Sequence, residues 1–356
     1  MLNLNTSCEM PGHPRPILGI GAGGIVRDAH LPAYRVAGFE HIGLYDPNID
    51  KARALAKQFD VPRVFRSMDE ALSTAPDNVV FDVAVPGGGV RDVIPLLPDG
   101  AAVLIQKPLG LNLADARHIC QLCHDKNLTA AVNFQLRYAP PIIALRDLID
   151  RGLLGELHDI QMQVTLWTPW ELWDFLKTED RVEILYHSIH YLDMIRSFVG
   201  DPTGVYARVH RAPHHPDLAD VKSTTILDYG DNLRVTVSAN HCHEGDLTNQ
   251  ESYIRFEGDK GIAKVTLGLC MDYPRGQPNI FEYCLLDQDE RTWKTVDIDG
   301  TWMPHAFIGT MASVMRKAED PSLPLPTHVD DALLTMAVVE TAYASSAGGA
   351  TPIDYS

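Results

Sequence analysis

The chain contains no run of about eighteen consecutive apolar residues, the length a membrane-crossing helix needs, although 45% of its 356 residues are hydrophobic. The first residues also lack a basic start followed by an apolar core, since Glu9 and two prolines interrupt them. The expectation is an unexported, cytoplasmic protein. Basic residues are scarce: 30 Lys and Arg stand against 47 Asp and Glu, a formal net charge of −17. A field of that sign repels phosphate backbones and anionic bilayers, and no basic patch offsets it, which argues against nucleic acid or membrane partners.

Cysteine is sparse and scattered, six in the chain, and reduced thiols are expected. Cys120 and Cys123 form a C-x-x-C inside an amphipathic run, 113–126. Spacing of three is also the spacing of one helical face, and no second pair completes a zinc set. His241-Cys242-His243 is metal-like in composition, yet alternation along a strand sends both histidines to one face and Cys242 to the other. No metal is assigned. Internal repeats, low-complexity tracts and coiled-coil heptads are absent.

What the sequence does contain is alternation. Residues 1–14 read as a loosely held tail. After them, β-rich runs at 17–20, 41–45, 79–85, 101–105 and 129–133 alternate with amphipathic stretches such as 49–59 and 113–126. This pattern predicts parallel βαβ units and a doubly wound first domain, 15–135. Beyond a helical run at 141–151 the period changes. Strands are predicted at 157–167, 204–210, 222–229, 233–239, 252–256, 262–266 and 281–286, mostly without intervening helices. They imply a largely antiparallel sheet in a second, substrate-binding and oligomerisation domain, 136–356, with helices at 182–198, 304–318 and 328–345, the terminal ones expected to pack back on the first domain.

Directly after the first strand comes Gly21-Ala22-Gly23-Gly24-Ile25-Val26. Glycines there let backbone amides approach a pyrophosphate, and the following helix amino terminus adds positive potential. The register is open, because the motif can be counted from Gly19 or from Gly21. About twenty residues on, at the end of the second strand, Asp46 can accept hydrogen bonds from an adenosine ribose and would repel a 2′-phosphate. NAD is favoured over NADP. Asp46-Pro47-Asn48 also suits a turn and helix cap. Val85 and Pro86, at the end of a later strand, are further cofactor-side candidates, with Gln106, Lys107 and Pro108.

Gln106-Lys107-Pro108 follows the apolar run 101–105. A lysine leaving the carboxyl end of such a strand enters the crevice where open α/β sheets bind ligands. Hydride transfer between an alcohol and nicotinamide needs a proton carrier and a donor for the developing alkoxide, and a buried Lys107 can supply both. On the predicted helix at 182–198, Tyr186 and His190 are four apart and His187 and His190 three apart, so they can share a face. His190 is suited to act as acid and base near neutral pH.

These residues resemble the Gfo/Idh/MocA family of NAD(P)-dependent oxidoreductases, whose members mostly act on sugars, inositols and related polyols. The carriers are Gly21-Ala22-Gly23-Gly24-Ile25, Gln106-Lys107-Pro108-Leu109, Asn133-Phe134-Gln135-Leu136-Arg137-Tyr138, Gly152-Leu153-Leu154-Gly155-Glu156, His190-Tyr191-Leu192-Asp193 and a terminal helix with Val338-Val339-Glu340. The match runs from Ile17 to about Pro352. The resemblance implies a Rossmann domain followed by an open-faced mixed sheet. It also implies that Lys107 contacts substrate and nicotinamide, that His190 shares proton transfer, and that exposed sheet faces pair subunits into homodimers or homotetramers. A cis Lys107-Pro108 bond is compatible with it. Two positions depart from the family pattern: Gln106 stands where members usually carry Glu, and Tyr186 where they often carry Asp, so Tyr186 or His187 would complete the relay.

Substrate contacts are expected from Asn133, Gln135, Arg137, Trp167, Trp170 and His187, with aromatic faces packing on the C–H faces of a sugar. The expected function is an NAD-dependent dehydrogenase of a sugar, sugar acid or cyclic polyol. Two alternatives stay open: a non-catalytic NAD-binding sensor, and an enzyme that uses bound NAD transiently for elimination or isomerisation.

Overall fold

The computed structural model describes residues 2–288 and 290–353. The chain divides into two compact units: an N-terminal unit of residues 5–143 and 299–336, and a C-terminal unit built mainly from 144–298 with residues from 337 onward. Among the described residues no helix is long and apolar enough to cross a membrane.

The N-terminal unit holds a six-stranded, wholly parallel sheet. Its strands are β1 (Ile17–Ile20), β2 (His41–Tyr45), β3 (Val64–Phe65), β4 (Val80–Val83), β5 (Ala102–Ile105) and β6 (Thr129–Val132), in the order β3-β2-β1-β4-β5-β6. β1, β4 and β5 are buried along their whole length, as short continuous apolar runs covered on both faces should be. Helices Ile49–Phe59, Met68–Thr74 and Leu113–Asp125 start where Asn48, Ser67 and Asn112 accept a backbone N–H three residues on. Each such cap contributes about 1 kcal/mol. Cys120 and Cys123 lie on the buried face of the last of these helices, where burial pushes both thiols up to about 12. That is the helix-face arrangement, and it leaves neither thiol reactive.

Residues 299–336 pack in this unit. Helix His305–Glu319 buries Phe307, Met311, Ala312 and Met315 in one cluster with Ile17, Val80 and Leu104. Residues 5–14 are tethered rather than loose. The backbone N–H groups of Gly12 and His13 donate to the Glu319 carboxylate at 3.0 and 2.5 Å, and Glu9 pairs with Arg316.

Among the described residues of the C-terminal unit, eight strands form one sheet: β7 (Leu157–Thr165), β8 (Gly204–His210), β9 (Lys222–Asp228), β10 (Arg234–Asn240), β11 (Glu251–Gly258), β12 (Gly261–Thr266), β13 (Ile280–Leu285) and β14 (Lys294–Val296). Their order is β14-β13-β12-β11-β7-β10-β9-β8, antiparallel except where β10 runs parallel to β7. Burial alternates along the strands, with Ile160, Met162, Val164, Val235, Val237, Ile254 and Phe256 inward. Each of these large side chains is worth about 1.5–3 kcal/mol of burial. On the outward side Tyr206 and Ile226 remain exposed. Helix Ile189–Val199 is buried from Ile189 to Arg196, and Phe198 at its end meets Phe256 edge to face at 5.0 Å.

Candidate active site

The strand order of the N-terminal unit reverses between β1 and β4, so the loops leaving these two strands frame the crevice in which such sheets bind ligands. Gly21 follows β1 with φ +110°, and a Cβ there would stand 2.4 Å from the Ala84 carbonyl oxygen beyond β4. Only glycine fits. Gly23 is different: a Cβ on it would meet nothing within 4 Å. The turn is therefore open on the side of Gly23, just where the helix begins with Val26 and Arg27 donating their N–H to the Gly23 carbonyl at 3.1 and 3.2 Å. Gly19 lies inside β1, where a Cβ would press on Leu44 at 2.7 Å, and Gly21 opens the turn that follows the strand. Val26 in turn is 1% exposed and packs with Leu44 and Leu55, a core residue rather than a cofactor contact.

Asp46 leaves β2 beside this turn. One carboxylate oxygen accepts the Ala22 N–H at 2.8 Å and the other the Asn48 N–H at 2.8 Å. It clamps the glycine turn and shapes its own turn at once, and its charge stands next to the open side.

Lys107 leaves β5 through a cis bond to Pro108. Burial pulls the pKa of its ammonium down to about 8. Its backbone N–H donates to Gln106 Oε1 at 2.8 Å, while Gln106 Nε2 lies 3.2 Å from His30 Nε2. His30 Nδ1 faces Asp82 Oδ2 at 2.8 Å, and the Tyr34 hydroxyl donates to the same oxygen at 2.8 Å. Asn133 completes the group: its Nδ2 is 3.4 Å from His30 Nε2, and its Oδ1 accepts from Thr310 at 2.7 Å. His30, Asp82, Asn133 and Thr310 are essentially inaccessible.

This buried network was not anticipated, although a lone carboxylate in the apolar strand Val80-Phe81-Asp82-Val83 was a signal for it. It also corrects two substrate candidates. Asn133 is fully buried with both ends of its amide engaged, and Arg137 donates to the Pro326 carbonyl at 2.8 Å and to Asp331 at 2.5 Å. Both are structural. Gln135 keeps a buried Oε1 without a hydrogen-bond partner.

In the C-terminal unit the expected helix at 182–198 opens with a π-turn, Glu183–Ser188, before the regular helix Ile189–Val199. The extra residue in that turn rotates side chains away from simple three- and four-residue spacing. Tyr186 packs edge to face on Phe175 at 5.6 Å, whereas His187 stacks on His241 at 4.5 Å and meets Trp170 at 5.3 Å. Burial, reinforced by the carboxylate of Glu179, raises the Tyr186 phenol and keeps it protonated. His190 is 7% exposed on the first turn of the regular helix.

His241 is held from both sides, with Nδ1 2.9 Å from Thr168 Oγ1 and Nε2 3.4 Å from Glu183 Oε1. Glu183 is wholly buried and accepts from the Ser188 hydroxyl at 2.6 Å. Its backbone N–H donates to Asp220 at 2.6 Å, and burial raises the Asp220 carboxyl to about 6. Trp170 is 4% exposed and packs under these rings, so it is scaffold rather than an open sugar platform. Trp167, 38% exposed, instead lines a cleft of about 460 Å³ with Glu244, Gly245, Asp246, Leu247 and Gln250.

A parallel sheet in this order, with a glycine turn at its switch point and a mixed sheet following in the same chain, is a dinucleotide-binding architecture. Two family models match the chain: an oxidoreductase family with an NAD-binding Rossmann fold over residues 17–134, and the GFO/IDH/MocA C-terminal domain over 142–264. The chain belongs to the GFO/IDH/MocA family of oxidoreductases. It is 26% identical over 351 residues to D-apiose dehydrogenase of Paraburkholderia graminis, covering 93% of this chain and 88% of that protein. Its fold matches an oxidoreductase from Agrobacterium radiobacter in complex with NAD+, L-tartaric acid and magnesium, with TM-score 0.78, 20% identity and coverage of 95% and 98%. It equally matches a levoglucosan dehydrogenase in complex with NADH and levoglucosan, with TM-score 0.78, 18% identity and coverage of 94% and 98%.

Proposed function

We propose that this protein is an NAD-dependent dehydrogenase acting on a hydroxyl or carbonyl of a sugar, sugar acid or cyclic polyol. The observation that carries this reading is Lys107, set at the carboxyl end of a central parallel strand with its pKa drawn to about 8 by burial. A lysine near neutrality can take a proton from an alcohol and, once charged, donate a hydrogen bond to the oxygen of a carbonyl.

The residues present fit NAD. The open side at Gly23 and the helix amino terminus after it would receive the diphosphate, and the Asp46 carboxylate would face the adenosine ribose, favouring NAD over NADP. When bound, NAD supplies the acceptor or donor of the hydride. Gln106 fixes the backbone of Lys107 from the interior, and Val85, Pro86 and Pro108 border the same crevice. For the C-terminal unit, the reading gives His190 a part in proton transfer and His187, which stacks on His241, a part in orienting the substrate. Tyr186, raised by burial and packed on Phe175, serves as scaffold.

For the substrate, the dehydrogenases of apiose and levoglucosan among the relatives support a carbohydrate or polyol, and the unpartnered Gln135 Oε1 supports a hydroxyl-bearing ligand. The outward sheet face with Tyr206 and Ile226 supports pairing of subunits into a homo-oligomer. Incubation with NAD and a panel of sugars and polyols, following reduced nicotinamide, tests the function. Turnover that Lys107→Met abolishes is expected; nucleotide binding with no turnover on any polyol would favour a sensor.

A further inference from the structure

Three strand ends are brought level at one edge of the C-terminal sheet. Asn240, at the end of β10, pairs with Lys222 at the start of β9, and Lys222 pairs with His210 at the end of β8. The segments that leave this edge, 211–221 and 241–246, have no regular strand or helix of their own, yet they carry four groups that ligate metals. One nitrogen each from His214 and His215 and the Cys242 sulfur lie within 4.8 Å of one another. Glu244 Oε1 lies 3.4 Å from His214 Nε2 and 3.9 Å from His215 Nε2.

We propose that His214, His215, Cys242 and Glu244 form a structural zinc site that clamps the 211–221 segment to the 241–246 segment. Tetrahedral zinc with bonds of about 2.0–2.3 Å holds its ligand atoms roughly 3.3–3.8 Å apart, so the His214, His215 and Cys242 atoms, within 4.8 Å of one another, must draw in, and Glu244 must turn onto the ion from its contacts with the two histidines. The donor chemistry selects the metal. A thiolate and two imidazoles disfavour magnesium and calcium, which take oxygen ligands, and favour zinc. Charge balances as well, because one thiolate and one carboxylate neutralise a divalent ion, and binding releases only the proton of the Cys242 thiol. His215 supplies the independent sign of a ligand: its Nε2 is buried and makes no hydrogen bond. Cys242 is 7% exposed, which shields the thiolate once bound.

Four protein ligands leave no open position, so the ion is a clamp and takes no part in the chemistry. Its place is nevertheless consequential. Glu244 is both a ligand and a wall of the cleft that Trp167 and Gln250 line, and Trp167 forms a bridge with Cys242. Strand alternation, which separates Cys242 from His241 and His243, gave no hint of the partners His214 and His215, because they come from a different loop.

The experiment is metal analysis of tag-free, full-length protein dialysed against zinc, with cobalt substitution as the spectroscopic probe. One zinc per chain and a thiolate-to-cobalt charge-transfer band are expected. Cys242→Ser should abolish that band, and His214→Ala, on a half-exposed side chain that burdens no core, should weaken zinc binding more than about 100-fold, beyond what loss of an outer-shell partner causes. His243→Ala should leave both unchanged. Protein that holds no stoichiometric zinc, or a cobalt band that survives Cys242→Ser, would overturn the proposal.

Discussion

Gln106 Nε2 stands 3.2 Å from His30 Nε2, and this contact explains why the chain carries glutamine at this position. With the Asp82 carboxylate accepting from His30 Nδ1, His30 Nε2 is the ring atom that faces the Gln106 amide. An amide can donate to it while its oxygen takes the Lys107 N–H. A glutamate would turn an oxygen towards Nε2 and force a second hydrogen onto the ring.

Gln106→Glu should therefore cost about 1–3 kcal/mol of stability, the penalty of a mismatched buried polar group. It should also raise the Lys107 pKa above about 8, because a nearby negative charge favours the ammonium. Urea unfolding reads the first effect. The second appears as an upward shift of the alcohol-oxidation pH profile, and an unmoved profile would separate Gln106 from Lys107.

Lys107 also predicts a pH-dependent stability. Its pKa falls from 10.5 in the unfolded chain to about 8 in the fold, so between these values the unfolded state binds more protons. Stability from this group should be present above pH 10.5 and lost as pH falls through 8, up to about 3 kcal/mol. Other groups titrate there, so the measurement is the stability difference between wild type and Lys107→Met at pH 7 and pH 10. The variant should be relatively more stable at pH 7, and the gap should close at the higher pH.

Two glycines in one turn should behave oppositely. Gly21→Ala meets the Ala84 carbonyl at 2.4 Å with φ +110° and should destabilise the N-terminal unit by at least about 1–3 kcal/mol. Gly23→Ala meets nothing within 4 Å, so it should fold normally and lose NAD affinity. Thermal unfolding with and without NAD distinguishes them. Equal loss of stability in both would contradict an open cradle at Gly23.

Asp46→Ser removes the carboxylate proposed to face the ribose and one clamp on Ala22. The ratio of kcat/KM for NADP to that for NAD should rise at least about tenfold, with a stability cost near 1 kcal/mol. An unchanged ratio would leave Asp46 with only its turn role.

The strands of the N-terminal unit were legible because β1, β4 and β5 are short apolar runs between glycines and prolines, a pattern that burial on both faces produces directly. β3 and β14, two and three residues long, carry no period of their own and were missed. The π-turn at Glu183–Ser188 was invisible for a related reason, since one inserted residue leaves the apolar pattern intact while redirecting Tyr186 and His187. Lys107 and the glycine turn could be found from local order. The His30, Asp82 and Gln106 network could not, because its members come from separate elements joined only by the fold.

The central claim is that Lys107 handles the proton in hydride transfer from a polyol to NAD. Steady-state oxidation by Lys107→Met, beside NAD titration of the same variant, tests it most directly. The rate should fall at least about 100-fold while NAD still binds and the unfolding midpoint near pH 7 is not lowered. Full turnover by Lys107→Met would contradict the claim.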